Sequence, residues 1–335
     1  MLGSLRQAVR RVRGAARPTP EPGPGQWWSR DQAIMGTAIR VELWCEDGER
    51  AQRAIDAVMR EMEHVDEAMS PYKEHSELSL VNREAARRAV RVSAELFDLL
   101  DRSLDFSRES GGAFDITYAA VGHLYDYRRR VRPSDDERKS ACAAVGYRNL
   151  QLDPAQRTVR FARPGVRIDL GGFAKGYAVD RGAQILREHG IANAIVTAGG
   201  DSRVLGDRHG RPWMVGIADP RQRGKMVAVL PLADVAISTS GDYERYFEEG
   251  GERYHHVIDP RTGESPAALQ SVTIVAPDGL TAEGLSKSVF VLGLAPGMSL
   301  VEARPGVDAV VVDAAGVLHY SSGLRRGGAD MGAGR

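Results

Sequence analysis

At 335 residues, with 42% hydrophobic and 27% charged residues, the chain has the composition of a soluble globular protein and room for two domains, or one large domain with a tail. Its 45 basic and 45 acidic residues cancel, so overall charge argues for neither a nucleic-acid nor a membrane-surface partner. Cys45 and Cys142 are too few for a disulfide framework and too far apart for a cysteine metal motif, and no apolar run reaches the roughly 18 residues of a membrane span.

The N-terminal stretch MLGSLRQAVRRVRGAARPTPEPGPGQWW begins basic and weakly amphipathic and turns Pro/Gly-rich through Pro24. No apolar h-region follows Arg10-Arg11 and no lipidation cysteine lies nearby, so residues 1–30 are expected to be a mobile tail on a cytoplasmic protein. Peripheral docking of this basic segment on anionic lipid is the alternative. Ala33 to Trp44 alternates as a strand, with Met35-Gly36-Thr37 at its entry. Glu49 to Met69 has helical period, with Ala54, Ile55, Val58, Met62, Val65 and Met69 as its apolar stripe. Ser70-Pro71 ends it and leaves Tyr72 in a loop. Ser76 to Asn82 reads as a short helical turn, and Ser93 as the N-cap of a helix carrying Leu96, Leu99, Leu100 and Leu104 up to Ser110-Gly111-Gly112. Tyr125 to Lys139, with Arg128-Arg129-Arg130, reads as a solvated loop, or else as a positive run that steers an anionic ligand. Leu150 to Phe161 carries hairpin punctuation at Asp153-Pro154.

Gly165 to Gly206 is the stretch around which the chain is organised. Val166 to Leu170 reads as a short strand with Asp169 near its end, and Gly171-Gly172 as a tight turn whose bare backbone can approach a ligand. Phe173 to His189 has helical period, and Gly190 is the expected stop. Ile191 to Ala198 reads as a second strand running into Gly199-Gly200-Asp201. Asp169, Lys175 and Asp201 thus come near two glycine turns and a helix N-terminus, groups that bind phosphate through backbone N–H. The same pattern also fits ordinary strand-end turns with Lys175 solvated. It is neither a G-x-G-x-x-G fingerprint nor a Walker loop.

Trp213 to Ala218, Lys225 to Leu232, Val235 to Ser240 and Ser271 to Ala276 read as strands, Ala282 to Leu294 as a helix, and Val307 to Val312 with Val317 to Tyr320 as a closing hairpin. The Gly-rich residues 325–335 are expected to be disordered, which leaves residues 31–324 as one folded domain. Irregular alternation of strands and helices, with several hairpins, favours an α+β fold over a doubly wound sheet.

Several blocks together resemble the ApbE-type flavin transferases (FAD:protein FMN transferases). MGT stands at Met35 to Thr37, SPYKEHSELSLVN at Ser70 to Asn82, GAFD at Gly112 to Asp115, and DLGGFAKGYAVD at Asp169 to Asp180. AGGD follows at Ala198 to Asp201, STSGDYERYF leads to HHVIDPRTG at His255 to Gly263, and AEGLSKSVFVLG stands at Ala282 to Gly293. The blocks keep the family's order across residues 32–324. The resemblance implies a T-fold-related architecture of mixed antiparallel sheets with packed helices. It also implies transfer of FMN from FAD, with release of AMP, to a Thr or Ser hydroxyl in a flavinylation motif of an acceptor protein.

By that resemblance Met35, Tyr72, Ala113, Phe114, Asp115, Asp169, Lys175 and Val257 would bind FAD, and His256 would take the proton of the attacking hydroxyl. On residue type alone, His256 reads rather as a strand-end histidine bonded to backbone, and Tyr72 and Phe114 as core residues. The family's Mg²⁺ would fall to Gly172, through its carbonyl, with Glu283, Ser286 and position 287. That position is Lys287 here, where the family has a threonine, and a protonated ammonium has no lone pair to give a metal. Either Lys287 swings aside and leaves a weakened metal site, or its ammonium sits where the cation would and neutralises the FAD pyrophosphate. Alternatives to the transferase are therefore an FAD-binding protein of the same fold, or an FAD pyrophosphatase releasing FMN and AMP.

Overall fold

The computed structural model describes residues 25–328. Its centre is an eight-stranded sheet whose strands lie side by side in chain order: Gln26–Ile34, Thr37–Cys45, Ala194–Ala198, Asp201–Leu205, Ala236–Gly241, Leu269–Ala276, Asp308–Asp313 and Leu318–Tyr320. Every neighbouring pair is antiparallel. Alternate residues of the central strands enter two different apolar clusters, so both faces are covered. Val196, Ala236, Val272, Ile274 and Val311 join the larger cluster, with the helices Gly48–Met69, Ala174–Glu188 and Gly279–Leu292. Val204, Ile237, Val275 and Val310 face a smaller one, closed by Trp213, Ile217 and Leu232 of the hairpin Trp213–Ala218/Met226–Leu232. The expected α+β fold of antiparallel sheets and packed helices is the one observed.

Local chemistry sets the element ends. The Asp47 side chain accepts from Glu49 and Arg50 N–H to open the helix Gly48–Met69, and all six stripe residues are buried. Ser93 caps Ala94–Glu109 in the same way. The helix Ala174–Glu188 stops in a Schellman motif: Gly190, at φ 73°, donates to Arg187, and Ile191 donates to Leu186. None of the described helices is long and apolar enough to cross a membrane.

Four sequence readings need correction. Met35-Gly36 is not a strand entry but a two-residue hairpin turn, with φ 55° and 67°, because positive φ at both positions matches the twist of the flanking strands. The first of those strands, Gln26–Ile34, reaches into the expected tail of residues 1–30, of which residues 1–24 lie outside the described residues. At the other end, the helix Ser322–Gly328 overlaps the expected disordered residues 325–335, and residues 329–335 lie outside the described ones. Finally, Val166 to Leu170 pairs with no strand. The Asn82 side chain stands in for one: Ile168 N–H donates to its Oδ1 at 2.8 Å, and its Nδ2 donates to Ile168 O at 2.9 Å.

Candidate functional site

The extended segment ending at Leu170, the first turn of the helix Ala174–Glu188 and the start of strand Asp201–Leu205 meet the helix Gly279–Leu292 at one point. Lys175 joins them. Its ammonium lies 3.0 Å from Asp201 Oδ2, donates to Gly171 O at 3.1 Å, and is paired with Glu283. Glu283 is fully buried, and its second oxygen accepts the Gly176 N–H at 2.7 Å. This pairing is close because the two helices touch through glycines: a methyl at Gly176 would lie 2.4 Å from the Gly279 carbonyl oxygen. Burial alone depresses Lys175, but Asp201 and Glu283 outweigh it and hold the amine above the ordinary lysine range. Burial, then Asp201, push Glu283 up, against the pull of Lys175.

One turn after Glu283, Lys287 points inward. Its Nζ donates to Ser240 Oγ at 2.8 Å and lies 4.0 Å from Glu283, and its side chain is 17% exposed. The stem runs along Gly172, where a methyl would meet Lys287 Cε at 3.3 Å. Burial depresses its pKa, with Glu283 opposing and Lys175 adding to the depression. Ser286 shares Ser240 with Lys287. Its hydroxyl donates to Glu283 O at 2.9 Å and is linked to Ser238 and Ser240 at 3.2 and 2.8 Å.

His256 follows the small hairpin Tyr246–Glu249/Glu252–His255 and is half-buried, held by its N–H to Arg245 O at 3.0 Å. Burial first, then the charge of Lys287, lower its pKa to about 3, so the ring is neutral at pH 7. Its Nδ1 is buried without a hydrogen-bond partner, and so is Asp201 Oδ1. Buried polar atoms left without a partner are where a ligand or water can complete the polar accounting.

The remaining expected residues divide. Asp169 accepts the Gly171 N–H, and burial raises its pKa against the charges of Lys175 and Arg245. Met35 packs half-buried on the core at its turn, Val257 is buried beside His256, and Tyr72 stands 87% exposed. Ala113 is buried, and Phe114 packs its ring against Phe106 and Phe173 at 5.8 and 5.1 Å, so these two belong to the core. Both oxygens of Asp115 are taken, by Thr117 N–H and Oγ and by Tyr147 N–H, so the carboxylate caps a turn rather than facing a ligand. The Gly199-Gly200 turn is filled by its neighbours: methyls there would lie 2.8 Å from Thr37 Oγ and from Thr239 O. Both glycines are exposed, so bare backbone is what lets this surface turn pack against Thr37 and Thr239.

Two residues escaped the sequence reading. Tyr118 is half-buried beside Asp169 and Arg245, and burial raises its phenol well above the ordinary value. The exposed Arg245 reaches Asp169, Tyr118 and His256 with its charge, and its guanidinium faces the Met35-Gly36 turn. Arg245 sits inside the block STSGDYERYF, which was the available signal. Two cavities of 450 and 370 Å³ lie elsewhere and contain none of the charged residues of this cluster.

The donor set does not fit Mg²⁺. Among the described residues, no group of three or more His, Cys, Asp or Glu is arranged to hold a metal. Of the expected ligands, Glu283 is engaged by Lys175 and Gly176, Ser286 by other hydroxyls, and position 287 is an ammonium, which leaves the Gly172 carbonyl, while the neighbouring Asp201 has one oxygen on Lys175. An all-oxygen shell cannot be drawn from these groups without dismantling the ion pairs.

The ApbE family model matches residues 35–311. The chain belongs to the ApbE family. An FAD:protein FMN transferase of Treponema pallidum is 34% identical over 85% of this chain and 84% of its own length. One from Haemophilus influenzae is 34% identical over 77% and 79%. The crystal structure of the ApbE protein from Thermotoga maritima superposes with a TM-score of 0.83 at 32% identity, covering 90% of this chain and 99% of that one.

Proposed function

We propose that this ApbE chain is an FAD:protein FMN transferase that moves FMN from FAD to a Thr or Ser hydroxyl of an acceptor protein. The observation that carries the reading is a neutral histidine, with an unpartnered buried nitrogen, set among Lys287, Lys175 and Arg245 in a member of this family. Phosphoryl transfer asks for that combination: an acceptor for one proton and positive charge for the phosphates. FAD is bound with its pyrophosphate toward Lys287 and Arg245 and its rings toward the Met35 turn and Tyr72.

His256 takes the proton as the acceptor oxygen forms its bond to the FMN phosphorus. The P–O bond to the adenylate breaks, and its electron pair leaves on AMP. Lys175 does not act on the phosphates directly. It is occupied by Asp201 and Glu283 and fixes the floor on which Lys287 stands. Magnesium, expected from the family resemblance, enters no step of this mechanism, because Glu283 and Ser286 are engaged within the protein and position 287 is an ammonium.

The test is incubation of the purified protein with FAD and an acceptor domain containing the Thr/Ser motif, followed by chromatography for AMP and mass spectrometry of the acceptor. A covalent FMN adduct supports the reading, and an unmodified acceptor with intact FAD overturns it.

A further inference from the structure

The place where the family resemblance puts a divalent cation is occupied here by side chains of the protein itself. We propose that the Lys287 ammonium, braced by the Lys175–Glu283 pair, is a built-in countercharge for the pyrophosphate of a bound dinucleotide, so that ligand binding needs no divalent cation. This rests on the reading that the crevice takes FAD.

Three observations carry it. Lys287 is directed inward: its stem lies along Gly172 and its Nζ reaches Ser240 at 2.8 Å, so it does not swing out to solvent. Glycine at 172 is what leaves room for that stem, since a methyl there would already press on Cε at 3.3 Å. An ammonium has three N–H donors, and Ser240 takes one, which leaves donors free for anionic oxygens.

The charges around it are also complete without a metal. Lys175 is offset by Asp201 and Glu283, and Glu283 lies nearer to Lys175 than to Lys287, 4.0 Å away. Lys175 and Lys287 together balance Asp201 and Glu283, and of the two ammoniums Lys287 has the looser carboxylate contact and N–H donors left for a ligand. A divalent ion placed here would stand within a few ångströms of both ammoniums and be repelled by each. Lys287 is also the foremost charge acting on His256, so the pyrophosphate it holds would lie beside the proposed base.

The proposal is tested by titrating FAD into the full-length protein, with flavin fluorescence quenching as readout, in EDTA and again in excess Mg²⁺. Affinities within about twofold of each other are expected. Tighter binding in Mg²⁺ by tenfold or more overturns the proposal while leaving the FAD reading intact. No FAD binding in either buffer overturns the FAD reading itself.

The variant Lys287→Thr, checked for folding by its melting temperature, restores a hydroxyl at this position. It is expected to lose FAD affinity at least tenfold in EDTA and to recover part of it with Mg²⁺. Wild-type affinity of Lys287→Thr in EDTA would also overturn the proposal. Lys287→Met keeps the stem's bulk without charge, and it is expected to lose affinity in both buffers.

Discussion

Replacing Gly176 with alanine sets two effects against each other, and the structure decides between them. In a helix interior, alanine is favoured over glycine by about 1 kcal/mol. Against that, the new methyl would lie 2.4 Å from the Gly279 carbonyl oxygen and 3.0 Å from Glu283 Cβ, where ordinary contact begins at 3.4 Å. The helices must therefore part by about 1 Å, the difference between 3.4 and 2.4 Å. The two nearest atoms, the oxygen and carbon of the Gly279 carbonyl, are backbone, so no side chain can rotate away. Overpacking of this kind costs about 1–3 kcal/mol. Parting also stretches the 2.7 Å bond from Gly176 N–H to the buried Glu283 carboxylate, worth about 1.5–3 kcal/mol as a bond to a charged group. The expected net effect of Gly176→Ala is a loss of about 1.5–5 kcal/mol, together with weaker FAD binding as Glu283 and Lys287 shift on their shared helix. Urea unfolding reads this as a lower midpoint at unchanged slope. A variant as stable as the wild type, or more so, would refute the glycine contact between the helices.

Further outcomes are expected from the same geometry. His256→Ala should leave FAD affinity nearly intact and cut transfer by about 10²–10⁴-fold, read by the rate of AMP release; an unchanged rate removes His256 from the mechanism. Because His256 is lowered to about 3 in the free enzyme, its base form persists far below neutrality there, so kcat/KM for transfer should show no fall on acidification through the usual histidine range. A pH–rate profile that drops by half near pH 6.5 would contradict its burial. Asn82→Ala strips both bonds from the Ile168 backbone and should cost about 2–4 kcal/mol, measured by urea unfolding; a loss within experimental error would mean that water replaces the side chain.

Long periodic helices were legible from the chain alone. The stripe from Ala54 to Met69 and the leucines after Ser93 each repeat over several turns and carry side-chain caps, so pattern and capping agree. Strand Gln26–Ile34 was hidden because its own middle, Ser29-Arg30-Asp31-Gln32, is polar throughout, leaving little apolar alternation to detect. Val166 to Leu170 has the apolar alternation of a strand, yet it is held by an asparagine side chain of one distant segment and the Ile116 carbonyl of another, which no local rule reveals.

At the site, the motifs located Lys175, Glu283, Lys287 and His256, which do converge, but motif position did not say which way a side chain faces. Phe114 and Asp115 are spent on packing and capping, and Ser286 on its neighbouring serines. The direction of Lys287 in particular is a tertiary fact: it depends on the gap left by Gly172 and the hydroxyl of Ser240, on two other elements.

The most direct measurement of the central claim is the molar ratio of AMP released to flavin covalently attached, with the acceptor present and with it omitted. A transferase is expected to release AMP equimolar with attached flavin, and none without acceptor. AMP appearing with free FMN, and with no flavin on the acceptor, would contradict the account and make the protein a pyrophosphatase.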